Sequence, residues 1–135
     1  MKKYDLIYCD PPWDYKNKVS NGAAKNHYPT TSLFNLTHIP IHSIASDNAV
    51  LAMWYTGNFV LEAIKLAEAW GFKVRTMKAF TWIKFNPLAW QRIDKAIQNS
   101  ELFDHHDLFE LLDAETKMNG GNYTRANSED VLIAT

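Results

Sequence analysis

Ala49-Val50-Leu51-Ala52-Met53-Trp54-Tyr55-Thr56-Gly57-Asn58 decides the fold class. Its first part, Ala49 to Tyr55, is continuous and apolar without polar alternation and reads as a central strand covered on both faces of a sheet. Thr56-Gly57-Asn58 then opens a helix over Phe59 to Trp70. Leu61, Ile64 and the Ala67/Glu68 turn set its apolar stripe, and Glu62, Lys65 and Glu68 share the other face at i, i+3 spacing. Gly71 is a natural C-terminal stop. Val74 to Lys84 returns as a long strand, and Val131-Leu132-Ile133-Ala134 is another. Upstream, Tyr4 to Cys9 reads as a short buried strand. Thr31-Ser32 caps a short helix through Leu36 that stops before Pro40. Strand and helix in alternation indicate an α/β sheet.

Asn86 to Lys117 departs from that rhythm. Leu88, Ile93 and Ile97 support one amphipathic helix, and Leu108, Phe109, Leu111 and Leu112 a second. The 135 residues therefore read as a single domain with a helical hairpin inserted at 86–118. The net charge of −1 hides an asymmetry. Residues 1–84 carry ten Lys/Arg against six Asp/Glu, and residues 85–135 carry four against nine. The acidic hairpin offers a surface for a homodimer or another protein partner, or a target-recognition element. The basic half suits phosphates, although Lys16, Lys18 and Lys25 read equally well as an ordinary solvated loop. No apolar stretch reaches the roughly 18–20 residues of a membrane span. Lys2-Lys3 leads into a strand containing Asp5, which is not a signal-peptide core, and Cys9 is the single cysteine. Both features point to the cytoplasm.

Asp10-Pro11-Pro12-Trp13, at the end of the first strand, carries the chemistry. The prolines fix φ near −65° and lack N–H groups, leaving the Asp10 and Pro11 carbonyls to face a ligand. A nucleobase amine has two hydrogens. The Asp10 carboxylate can accept one and the Pro11 carbonyl the other, with the nitrogen lone pair pointing outward. Trp13 can stack on the base, a contact worth about 1–3 kcal/mol. The same four residues are also an ordinary way to leave a sheet, since proline ends the ladder and aspartate accepts local N–H bonds. Asp14 to Pro29, with Asn21-Gly22 as a turn signal, reads as a loop over this place.

The chain resembles the adenine-N(6) methyltransferases related to the catalytic subunit of the messenger-RNA adenosine methylase. The likeness is greatest to their bacterial and phage DNA-modifying, restriction–modification members. It runs through Asp10-Pro11-Pro12-Trp13, Tyr28-Pro29-Thr30-Thr31-Ser32 and Leu51-Ala52-Met53-Trp54-Tyr55-Thr56-Gly57. It continues through Ala69-Trp70-Gly71-Phe72, Thr81-Trp82-Ile83-Lys84 and Asn122-Tyr123-Thr124-Arg125 with Glu129. The resemblance implies a Rossmann-like methyltransferase fold of permuted motif order, with S-adenosylmethionine as methyl donor. It implies adenine in nucleic acid, with double-stranded DNA expected, as acceptor. Carried over by position, Asp10, Pro11, Pro12 and Trp13 form the catalytic loop, and Cys9 and Asp10 lie beside the cofactor. Tyr28, Lys84, Tyr123, Arg125 and Glu129 face the substrate. Family members continue beyond Ile133-Ala134-Thr135 with further cofactor-holding segments, so a C-terminally truncated domain is expected.

Other readings stay open. A methylase scaffold can serve as a catalytically silent nucleic-acid-binding subunit, or act on RNA adenine. Cytosine amino-methylation uses a similar tetrapeptide, commonly with serine for aspartate. Arg125 and Glu129 can simply pair with each other at i, i+4. Asp104-His105-His106-Asp107 is not expected to bind metal, because adjacent helical residues diverge and zinc needs convergent ligands. Trp54, Trp70 and Trp82 are expected to pack in the core.

Overall fold

A computed structural model describes residues 2–14, 31–99, 101, 104–116, 119–120, 125–126 and 128–135. Ten regular elements are present among them. These are β1 (Tyr4–Cys9), α1 (Leu33–Thr37), β2 (Ala45–Tyr55), α2 (Val60–Ala69), β3 (Val74–Ile83), α3 (Ala89–Gln98), α4 (His105–Glu115), β4 (Asn119–Gly120), β5 (Arg125–Ala126) and β6 (Ser128–Ala134). The fold is α/β, as the alternation implies. Its main sheet has the order β1-β2-β6-β3, and β4 pairs with β5 separately. The sheet is mixed: β1 runs parallel to β2, and β6 antiparallel to it. The chain divides into two compact units, Met1–Thr81 with Glu129–Thr135, and Trp82–Ser128.

In the first unit, Leu51, Met53, Leu66, Leu132 and Val131 are the largest fully buried side chains. Burying each such side chain stabilises the fold by about 1.5–3 kcal/mol. Register places Ile7 beside Leu51, Cys9 beside Met53, Met53 beside Leu132 and Leu51 beside Ala134. One sheet face is therefore continuous and apolar, and α2 packs Ala63, Leu66 and Ala67 into the same core. The expected helical stripe is corrected here. Leu61 is 67% exposed, because the buried stripe is rotated onto Ala63, Leu66 and Ala67. The opposite sheet face differs more. Leu6, Tyr8 and Phe80 are 59%, 61% and 50% exposed. The central strands stay covered on this face too, with Ala52 and Val131 buried and Val50 and Trp54 half-buried, and the exposed side chains belong to the edge strands β1 and β3. Tyr8, Trp54 and Phe80 are linked across this face. The Trp54 indole donates to the Tyr8 hydroxyl at 2.6 Å and meets the Phe80 ring edge-on at 5.5 Å. At the far end of β2, the Tyr55 hydroxyl donates to the Met77 carbonyl. The buried Asp130 carboxylate opposite Tyr55 accepts from Thr81 and faces Lys78 at 3.7 Å.

Local chemistry accounts for the helix ends. The Ser32 side chain accepts from the Asn35 N–H and starts α1. Trp70 is buried and donates its indole N–H to the Leu36 carbonyl at 2.9 Å, tying the end of α2 to α1. Gly71, at φ +91°, closes α2. Its N–H reaches the Glu68 carbonyl and the Phe72 N–H reaches the Ala67 carbonyl, the paired bonds of a Schellman motif.

An ion pair joins α3 to the end of α4 in the second unit. The nearly buried Glu115 carboxylate receives two guanidinium bonds from Arg92, Nε to Oε1 and Nη2 to Oε2, and a longer one from Asn86. The Asn86 N–H also donates to the Glu115 carbonyl, and Phe85 bridges Thr116. Asp104 caps α4 in a reciprocal capping box with Asp107. Both expected helices of this region are present, with corrected faces. Ala89, Ile93 and Ala96 are buried on α3, whereas Leu88, Ile97 and Phe109 are more than half exposed. Leu88 sits left-handed at φ 66° just ahead of α3, outside the helical stripe. Trp82 is 54% exposed with the Lys84 ammonium 4.9 Å above its ring, so it is not a core tryptophan.

Gly71→Ala isolates a backbone effect, because nothing lies within 4 Å of the added Cβ. It is expected to cost about 1–2 kcal/mol in urea unfolding, the left-handed penalty alone. The Arg92 hydrogen bonds hold the Glu115 carboxyl below its ordinary value of 4.5, against an opposing effect of burial. A depressed carboxylate stabilises the fold above the ordinary value, and that contribution is lost as pH falls through the lowered one. Glu115→Gln should therefore reduce thermal stability at pH 7 and shrink the difference from wild type towards pH 3. A difference that does not narrow under acid would exclude this pair as the source.

Candidate functional site

β1 and β2 run parallel, β1 ending at Cys9 beside Met53 and β2 running on two residues to Tyr55. In α/β sheets, ligands gather beyond the carboxyl ends of parallel strands. The chain leaves β1 there as Asp10-Pro11-Pro12-Trp13. Asp10 is exposed, Pro11 is buried, Pro12 is half-buried, and Trp13 is only 5% exposed.

Four contacts fix this loop. The Trp13 N–H donates to the Pro11 carbonyl at 2.8 Å, closing a three-residue turn around Pro12. Proline suits the centre of such a turn because its ring already holds φ near the required value. The Thr31 N–H donates to the Pro12 carbonyl at 2.9 Å, and Trp13 and Thr31 form a parallel bridge immediately before the α1 cap. The Trp13 indole N–H points at the Trp54 carbonyl, 3.3 Å away on β2. The indole also lies on the Phe59 ring, centroids 5.3 Å apart and planes 15° from parallel.

Two expectations are corrected by this geometry. The Pro11 carbonyl is not wholly available, since the turn takes one acceptor position and leaves its second lone pair. The Trp13 indole is not an open plate either. Its polar edge is anchored on Trp54, one face rests on Phe59, and the residue belongs to the buried core.

Cys9, half-buried, has its thiol pushed up to about 12, first by burial and then by the neighbouring Asp10 charge. It is a neutral side chain at physiological pH, unsuited to nucleophilic work. A neutral thiol next to an exposed carboxylate, at the end of a parallel strand pair, fits a ligand that is cationic and partly apolar. S-adenosylmethionine has that character, and Cys9 and Asp10 are the residues that the family resemblance sets beside it.

The remaining expected residues lie on other elements or outside the described residues. Tyr28 and Tyr123 lie outside the described residues. The Arg125 backbone is in β5, with its side chain outside the described set, and half-buried Glu129 is in β6. Helical i, i+4 spacing therefore does not apply to that pair. Lys84 lies over Trp82 in the second unit. His105 and His106 stack on each other at 5.5 Å, while the Asp104 carboxylate is occupied by the α4 cap. No group of three metal-binding side chains occurs among the described residues. No helix among them is long and apolar enough to cross a membrane. The sequence reading missed Phe59, Thr31 and the Trp54 carbonyl. Phe59 alone left a visible trace, an aromatic residue at the start of a helix where a capping side chain is usual.

The family model MT-A70 matches residues 4–130, from the first strand to Asp130. The chain belongs to the MT-A70 family. Two curated relatives agree with that placement. The chain is 37% identical over 101 residues to the type II methyltransferase M.MunI of a Mycoplasma species, covering 62% of this chain and 43% of that protein. It is 30% identical over 88 residues to the human N(6)-adenine-specific methyltransferase METTL4, covering 62% of this chain and 17% of that protein. The chain thus spans less than half the length of either relative.

The thiol assignment has a direct check, because Cys9 is the single cysteine. Iodoacetamide at pH 8 is expected to alkylate native protein at least about a hundredfold more slowly than protein unfolded in urea. Equal rates would mean that the thiol is neither shielded nor raised.

Proposed function

We propose that this chain carries the amine-activating part of an S-adenosylmethionine-dependent methyltransferase that acts on the exocyclic amine of adenine in DNA. The observation that carries the proposal is the exposed Asp10 carboxylate, set on a loop whose backbone and indole are pinned on three sides. The relative named an N(6)-adenine-specific methyltransferase supports adenine as the base. The likeness to a type II methyltransferase favours DNA as the polymer. Complete turnover is proposed for the whole protein, since the match spans only part of each relative.

The adenine amine is a poor nucleophile because its lone pair is delocalised into the ring. Asp10 accepts one of its hydrogens, and the remaining lone pair of the Pro11 carbonyl accepts the other. Both bonds favour a pyramidal nitrogen and offset the positive charge that develops as the new N–C bond forms, an effect greatest in the transition state. Asp10 is also placed to receive the proton that the nitrogen then sheds. The chemistry supplied by S-adenosylmethionine, when bound, is an electrophilic methyl group on a sulfonium sulfur. Cys9 and Asp10 would hold it at the end of β1. A duplex base must first leave the stack, at a cost of a few kcal/mol. Tyr28, Tyr123, Arg125, Glu129 and Lys84 are proposed to receive it, on the strength of the family resemblance.

The test uses the full-length protein and a methyl-labelled donor with adenine-containing duplex DNA, single-stranded DNA and RNA. Label is expected in DNA adenine. Asp10→Ala should lower kcat by about a hundredfold or more while the circular dichroism spectrum is unchanged. Near-normal turnover by that variant rejects the mechanism, and label confined to RNA reassigns the polymer.

A further inference from the structure

We infer that Phe59 is a positioning residue for the reaction, holding the Asp10–Trp13 loop in register through the Trp13 indole. The inference rests on the proposed methyl transfer at Asp10 and concerns how that site is kept in place. Trp13 does not reach a ligand by an open face. It is buried, lies nearly parallel to the Phe59 ring at 5.3 Å, and directs its N–H at the Trp54 carbonyl. An indole fixed at its edge and on its face cannot rotate. Its backbone N–H is the donor that closes the turn on the Pro11 carbonyl. The ring stack therefore governs where the second lone pair of that carbonyl points, and with it the direction in which the amine is held.

A second observation singles out Phe59. It occupies the N-cap of α2 at φ −121°, and no side-chain capping bond is made there. Serine, threonine, aspartate or asparagine would supply that bond. The position forgoes it and carries a ring that lies on Trp13. Phe59 is itself seated firmly, since the preceding turn is closed by its N–H on the Thr56 carbonyl at 2.8 Å. A rigid helix start thus backs the loop, a common way to hold reacting groups within a fraction of an ångström.

The experiment compares full-length wild type with Phe59→Leu, Phe59→Tyr, Trp13→Leu and the Phe59→Leu/Trp13→Leu double variant. Labelled methyl transfer to adenine-containing DNA is measured. Phe59→Leu keeps apolar volume but removes the flat ring. It is expected to lower kcat about tenfold with KM for DNA within about twofold, because misplacement penalises the transition state and not binding. Phe59→Tyr should restore kcat to within about twofold of wild type. The double variant should be no slower than Trp13→Leu alone, since Phe59 acts through the indole. If Phe59→Leu does not fold, Phe59→Met is read by the same criteria. Wild-type kcat in the leucine variant, a change confined to KM, or losses that simply multiply in the double variant would overturn the inference while leaving the methyltransferase reading intact. Absence of adenine methylation by wild type would overturn that reading, and the positioning role with it.

Discussion

The parallel pairing of β1 with β2 is the constraint on which the first unit depends. Register sets Ile7 against Leu51 and Cys9 against Met53, so β1 ends two residues before β2 does. A slip of one residue would turn Ile7 outward and bring Leu6 and Tyr8 into the core, inverting both faces. It would also move Asp10 relative to the end of β2, where the Trp54 carbonyl and the α2 start wait for the indole. Burial of one strand face and placement of one carboxylate are thus the same event. The sheet is completed by β6 running antiparallel to β2, which brings Leu132 and Ala134 under the same helices.

The proposed site has a different character from that of a preformed aromatic clamp. Its tryptophan is structural in the literal sense, tied to the sheet at one atom and to a helix start over one face. One of its two carbonyl acceptor positions is already used to shape the loop. The groups proposed to meet a substrate are the Asp10 carboxylate and the second lone pair of the Pro11 carbonyl. That economy is chemically sufficient, because an amine with two hydrogens requires two acceptors and no more.

Much of this was legible in the residues. Tyr4 to Cys9 marks β1 to the residue, and Gly71 marks the end of α2 because only glycine is at ease at φ +91°. Asp10-Pro11-Pro12-Trp13 pointed to the proposed site because it joins a carboxylate, prolines and an indole within four residues. The burial of individual side chains was harder to read. Leu61, Leu88, Ile97 and Phe109 fit helical stripes by type, yet they face outward, since small alanines at 63, 67, 89 and 96 let the helices approach along a different line. The apolar run Ala49 to Tyr55 reads as a strand covered on both faces, and none of its residues is exposed. The stack of Trp13 on Phe59 could not be anticipated, since it joins residues 46 apart and depends on the strand register.

The exposed apolar side chains of the two edge strands have a practical consequence for handling the chain. Leu6, Tyr8 and Phe80 present oil-like surface to water, with the half-buried Trp54 between them. Kosmotropic salts such as sulfate raise the tension at such a surface and reward its concealment. Ammonium sulfate will accordingly drive these molecules onto a phenyl resin, or onto one another, earlier than the near-neutral charge alone would suggest.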